Sequence, residues 1–329
     1  MNLRVLSAAD VRQALPMAEA IAGMKLAYAQ LSTGRAVMPL RSRVDVTPAG
    51  GSTLIMPAFL PDNNALAVKV VSVFPGNAGL GLPTIHAAVL ALDPASGRPL
   101  ALLEGGALTA IRTGAASGAA TDLLARPGAS RVAIFGSGIQ ARTQLEAVCT
   151  VRHIQEVRLF SLDAGQAHAF AAALAGQGPI PAAIHVSASP EEALQEADIV
   201  CTATTSNTPV FPGRGLAPGS HVNAIGSFLP TMQEIDVETV RRALVVVDDR
   251  ASALAEAGDL IIPLAQGEIE PAHIRAELGE IVAGKVPGRE NDQQITLFKS
   301  VGVAVQDAVA AAIALNNATR HNLGTLVSL

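Results

Sequence analysis

Residues 10–31 carry apolar positions at helical spacing, which predicts a helix. After Gly34 the pattern changes to short β-rich segments at 39–46, 52–57, 65–74, 86–92 and 99–103, separated by Pro and Gly. The stretch Asp93-Pro-Ala-Ser-Gly-Arg-Pro99 between the last two reads as a hairpin turn. Short strands joined by tight turns predict a mixed or antiparallel sheet. From Arg131 the rhythm is different. Apolar runs at 132–135, 157–160, 184–186, 199–202, 222–224 and 244–247 recur at roughly regular spacing, with helical patterns over 139–150 and 164–175. Strands alternating with helices predict a parallel, doubly wound sheet. The stretch 293–315 reads as one long Ala- and Val-rich helix, suited to packing back on the N-terminal part or to supporting a dimer interface.

Composition narrows the class. The 329 residues leave room for two domains, and 50% apolar with 16% charged residues excludes intrinsic disorder. Lys69, Asp93, Glu104 and similar residues interrupt every apolar run before membrane-spanning length, and the first ten residues lack the apolar stretch of a signal peptide. The expectation is a cytoplasmic protein. Cys149 and Cys201 are too few for a disulfide framework or a Cys-based zinc site, and the seven histidines show no metal spacing, so no metal is expected. A net charge of −5 without a basic run argues against nucleic acid and leaves a small molecule as partner.

The most informative motif is Gly136-Ser-Gly138-Ile-Gln-Ala141, placed after a strand and opening a helix. It is the G-x-G-x-x-A form of the dinucleotide fingerprint. Gly136 permits the tight turn, Gly138 the approach of the pyrophosphate, and Ala141 close helix–strand packing. At the end of the next strand stands Ser161, able to bond a ribose hydroxyl or a phosphate. Asp163 reads equally as a displaced ribose acid or as a helix cap. NAD and NADP therefore both stay open.

Three cations sit in apolar surroundings: Arg41, Lys69 within Leu66–Phe74, and Arg112 within Thr109–Gly118. Strand alternation places Arg43 on the same face as Arg41. A buried cation needs an anionic partner. Either an internal acid such as Asp45 or Glu104 supplies it, or a ligand carboxylate or phosphate does. His86 reads as a general acid or as a strand histidine satisfied by backbone, and His221 as a residue that orients a loop. With no G-x-S-x-G and no cysteine nucleophile setting, acyl transfer is not indicated.

On Met56-Pro-Ala-Phe, Lys69, Thr109-Ala-Ile-Arg-Thr-Gly-Ala, the fingerprint, Val222-Asn-Ala-Ile-Gly-Ser, Ala276-Glu-Leu-Gly-Glu and Phe298-Lys-Ser-Val-Gly, the chain resembles the ornithine cyclodeaminase/mu-crystallin family over nearly its whole length. The resemblance implies an α/β protein. A Rossmann doubly wound parallel sheet (117–294) would be inserted in a mixed α+β substrate-binding and dimerisation domain (1–116 plus 295–329). It implies a homodimer, NAD(P)H as cofactor, and Arg41, Lys69 and Arg112 on the substrate carboxylate, with Lys69 catalytic. Thr84, Arg112, Thr113, Gly136, Gly138, Ile139, Gln140, Ser161, Thr202, Val222, Asn223, Ala224 and Ile225 would surround the dinucleotide.

Two departures refine the expectation. Cyclodeaminating members carry an Asp after the strand matching 222–224, whereas this chain has Phe228, which offers a substrate ring a packing surface and no proton chemistry. Glu234 and Asp236 are the nearby acids. NADPH-using members tend to carry Arg after the position of Ser161, where this chain has Leu162. The expected activity is NAD(P)H-dependent reduction of a cyclic imino acid, Δ1-pyrroline-2-carboxylate or Δ1-piperideine-2-carboxylate. The alternatives are ornithine cyclodeamination, an alanine-dehydrogenase-type reaction, and a non-catalytic small-ligand binder of mu-crystallin type.

Overall fold

The computed structural model describes residues 2–328. Six strands come first: β1 (Asn2–Leu6), β2 (Ser42–Val46), β3 (Gly51–Leu60), β4 (Ala65–Val73), β5 (Ile85–Leu92) and β6 (Pro99–Glu104). Eight follow: β7 (Arg131–Phe135), β8 (Glu156–Phe160), β9 (Ile184–Val186), β10 (Ile199–Thr202), β11 (His221–Ala224), β12 (Ala243–Val247), β13 (Ile274–Glu277) and β14 (Ile295–Lys299). The last strand is β15 (Thr325–Ser328). The chain divides into two units, one up to Arg112 and resuming at Val303, the other Thr113–Gly302.

The first unit holds a mixed sheet in the order β15-β1-β6-β5-β4-β3-β2, antiparallel except where β1 runs parallel to β6. In β4 Ala65, Ala67, Lys69 and Val71 are buried while Val70 between them is exposed, so Lys69 points to the covered face. The C-terminal helix Ala304–Arg320 covers that face, packing on β3, β4 and the helix Met17–Ser32. Gly23 permits the close approach of the two helices, because a Cβ there would lie 2.6 Å from Ile313 Cδ1. The single helix expected over 10–31 is two, Ala8–Ala14 and Met17–Ser32. Pro16 divides them by disfavouring helical backbone at Leu15.

The second unit is an eight-stranded, wholly parallel sheet in the order β13-β12-β14-β11-β10-β7-β8-β9, with helices in the crossovers. A Rossmann-type sheet in one unit and a mixed sheet in the other is the fold class expected. The expected helix over 293–315 is corrected: Ile295–Lys299 is β14, set between β11 and β12, and the helix begins at Ala304. Ile295–Lys299 is only five residues long and buried on both faces, so it carries no period to separate strand from helix. The units accordingly meet at 112/113 and 302/303, where the sequence suggested 116/117 and 294/295. Among the described residues no helix is long and apolar enough to cross a membrane.

Candidate active site

In the first unit, β4 presents Lys69 to the first turn of the C-terminal helix. Lys69 is 2% exposed, and its Nζ lies 2.7 Å from Oδ2 of Asp307, itself 1% exposed. Arg112, on the helix Gly105–Leu124, places Nε 3.1 Å from the other oxygen of Asp307. Its Nη1 donates to Gln306 Oε1 at 2.7 Å, and Gln306 Nε2 donates to the Tyr28 hydroxyl at 2.8 Å. Burial pushes the Lys69 ammonium down from 10.5 to about 8; Asp307 opposes this, while the like charges of Arg112 and Arg41 add to it. Two buried cations on one buried carboxylate leave a surplus of about +1, with Arg41 near enough to be felt.

Neither acid considered from the sequence is the partner. Asp45 pairs at 2.7 Å with the exposed Arg43, and Glu104 caps the helix Gly105–Leu124 through Gly106 N and Ala107 N, both at 2.7 Å. Asp307 was missed, although it is the single acid of the Ala-rich segment 304–320. Arg41 precedes β2 and does not share its alternation with Arg43. His86 is exposed on β5.

In the second unit, Gly136 takes φ +104° at the end of β7, and a Cβ there would meet Ala203 O at 2.6 Å. Gly138 is the N-cap of the helix Ile139–Val151; no side chain caps it, and nothing lies within 4 Å of where its Cβ would be. The first-turn N–H groups of that helix are therefore open to an anion, and Gln140 Oε1 beside them is buried without a hydrogen-bond partner. Ala141 is fully buried. The residues present fit a dinucleotide.

Ser161 Oγ, at the end of β8, lies 3.1 Å from Ser137 Oγ in the glycine loop. Asp163 caps the helix Ala164–Leu174, accepting from Gln166 N at 2.9 Å, and the Leu162 side chain is 98% exposed. Of the two readings of Asp163, the geometry carries the cap. Thr202 ends β10, while Val222, Asn223 and Ala224 run into Ile225 at the end of β11, all of them buried. The Asn223 amide is turned inward to Thr121 Oγ1 at 3.0 Å. Thr113 is buried in this unit, whereas Thr84 and Arg112 belong to the other.

The acids near Phe228 are committed elsewhere. Glu234 accepts five hydrogen bonds from Thr202, Thr204, Gly226 and Ser227. Asp236 caps the helix Val237–Arg242 and accepts from Gly213 N at 2.8 Å. Phe228 itself is half-buried on the segment after β11. Burial pushes the His221 imidazole down to about 3, and its ring nitrogens contact Thr296 at 2.9 Å and Asn223 at 3.2 Å. Such a group stays neutral and structural at physiological pH.

A parallel sheet with an open fingerprint helix, joined to a unit that buries surplus positive charge, defines a Rossmann-type, nicotinamide-dependent oxidoreductase. Within that class the chain belongs to the ornithine cyclodeaminase/mu-crystallin family, whose model matches residues 1–322. It is 42% identical over 321 residues to a Δ1-pyrroline-2-carboxylate reductase of Bacillus cereus, covering 97% of this chain and 98% of the relative. A ketimine reductase mu-crystallin of Mus musculus is 36% identical over 278 residues, 84% of each chain. Among solved structures, Thermococcus litoralis Δ1-pyrroline-2-carboxylate reductase in complex with NADH and L-proline superposes with a TM-score of 0.94 at 44% identity. That match covers 99% of this chain and 100% of the other.

Proposed function

We propose that the protein reduces a cyclic imino acid, Δ1-pyrroline-2-carboxylate or its six-membered homologue, to the cyclic L-amino acid with NAD(P)H. The observation that carries the reading is the buried pair Lys69 and Arg112 sharing Asp307, a cluster whose surplus positive charge suits one carboxylate. The relatives named for this reaction support it at 42% identity. When bound, the dinucleotide supplies a hydride. Gly138, Ile139 and Gln140 would hold its pyrophosphate at the open helix terminus, with Ser161 at the ribose and Thr202 and Val222 to Ile225 along the strand ends.

The remaining work falls to the chain's own side chains. Arg41, Lys69 and Arg112 orient the substrate carboxylate, which fixes the C=N carbon for attack. Lys69, lowered to about 8, is a proton donor matched to neutral pH for the ring nitrogen. Phe228 offers a packing surface to the ring and no proton chemistry. With Glu234 and Asp236 already committed, loss of ammonia from ornithine lacks its acid.

We also infer a cytoplasmic homodimer with a part in proline metabolism. Val44, Ile55, Val70 and Leu102 lie on the uncovered face of the first unit's sheet, and each is 37–55% exposed. The register sets Ile55 beside Val70, which makes this an apolar surface suited to a second copy. The test is a panel of imino and amino acids with NADH and NADPH. Reduction of Δ1-pyrroline-2-carboxylate with no ammonia from ornithine is expected. Conversion of ornithine to proline without imine reduction would overturn the reading, and binding of the imino acid without turnover would make the protein a binder.

A further inference from the structure

Neighbouring strands β14, β11 and β10 end on one buried charge network centred on Glu234. The Glu234 carboxylate accepts from Thr202 Oγ1 at 2.9 Å, Thr204 N at 2.6 Å and Thr204 Oγ1 at 2.8 Å, all on the segment leaving β10. It also accepts from Gly226 N at 2.6 Å and Ser227 N at 3.1 Å, on the segment leaving β11. One carboxylate thus ties two strand ends together. Gly226 shows how closely they approach, since a Cβ there would lie 2.2 Å from Thr204 O and 2.5 Å from Glu234 Oε1.

The acid is itself held. Asp259 Oδ1 accepts from Glu234 N at 2.6 Å and Ile235 N at 3.1 Å, while its Oδ2 lies 2.9 Å from Lys299 Nζ. Lys299, the last residue of β14, donates to Ala224 O at 3.2 Å and Ser227 O at 2.6 Å. Burial raises the pKa of Glu234, and Lys299 opposes that shift.

Ligands of open parallel sheets lie beyond the carboxyl ends of the strands. The fingerprint follows β7, and Ser161 ends β8 on one side of it. β10 and β11 lie on the other side, so a dinucleotide with its pyrophosphate at Gly138 and its adenosine towards Ser161 lays its nicotinamide half along them. We propose that Glu234 is a positioning residue for the nicotinamide half of the dinucleotide, a role resting on the dinucleotide reading above. It touches neither substrate nor reacting atoms. By clamping both strand ends it sets the backbone on which that half is seated.

The test compares NADH with ADP-ribose, which lacks the nicotinamide, by calorimetric titration of the full-length protein and its Glu234→Gln and Thr204→Val variants. Glutamine keeps the size of the side chain but turns an NH2 group towards donors. Thr204→Val removes one donor to Glu234, together with the acceptor of Ser206 N, and is the milder change should the first variant fold poorly. The NADH Kd should rise about tenfold in Glu234→Gln while the ADP-ribose Kd stays within about twofold, and Thr204→Val should show a smaller split of the same kind. The KM for NADH should rise more than the KM for the imino acid. Equal loss of both nucleotides, or unchanged NADH affinity, overturns the proposal. Wild-type protein that binds neither nucleotide overturns the dinucleotide reading and this role together, a result distinct from the other two.

Discussion

Each unit buries a cluster of three charges, and the two clusters are opposite in sign. In the first, Lys69 and Arg112 face Asp307, which leaves a surplus cation. In the second, Glu234 and Asp259 face Lys299, which leaves a surplus anion. What separates them is the source of compensation. The second cluster draws five backbone N–H groups onto its two carboxylates, so its excess charge is stabilised internally and stiffens the strand ends. In the first, the bond that Arg112 Nη1 donates to Gln306 Oε1 meets one guanidinium donor with a neutral acceptor and brings no countercharge. A buried surplus balanced by backbone organises structure, whereas the first cluster holds a cation that no countercharge among the described residues balances, which is why we propose it for the substrate carboxylate.

The largest expected effect breaks the comparison at its cationic end. Lys69→Met should lower kcat/KM for the imino acid by about 10²–10⁴-fold, with the NADH Kd unchanged by titration. Near wild-type kcat/KM would make Lys69 structural, like Lys299. Next is Asp307→Asn, which leaves two buried cations without their carboxylate. Denaturant unfolding should show a loss of about 3–5 kcal/mol. An unchanged midpoint would mean that the cluster is not the buried unit described.

A third effect is pH dependence. Lys69 titrates at about 8 in the folded protein against an ordinary 10.5, so below 8 it is charged in both states and above 8 the unfolded chain binds more protons. Its contribution to stability therefore rises with pH between about 8 and 10.5. Activity follows the opposite course: kcat/KM should fall above pH 8, by about tenfold per unit, as the charged form is lost. Lys69→Arg, which stays charged but does not give up a proton, should lower kcat/KM at neutral pH and show no limb near 8. An alkaline limb near 8 that persists in this variant would assign it to another group.

The smallest effect concerns an acid outside both clusters. Asp163→Ala removes a helix cap and should lower stability by about 1 kcal/mol, with the NADH Kd within about twofold of wild type. A tenfold weaker Kd would restore Asp163 as the ribose acid.

Much of this architecture is written in local pattern. The apolar, β-rich run at 65–74 marks β4 with Lys69 inside it, and the spacing Gly136, Gly138, Ala141 marks the turn and the helix that opens it. Such features depend on residues a few positions apart, because strand and helix periods are short-range properties of the backbone. The sequence by itself thus determined the two kinds of sheet, the fingerprint and the presence of cations in apolar surroundings. The tertiary structure alone decided which acid meets those cations: Asp307 lies in the last helix, far along the chain from Lys69 and Arg112, and only the packing of that helix on β4 brings them to 2.7 and 3.1 Å. It likewise decided that Ile295–Lys299 is a strand, through its place between β11 and β12, and that Glu234 is a clamp and not a free acid. Charge pairing and strand neighbours are relations between distant segments, and their energies come from burial that no local window contains.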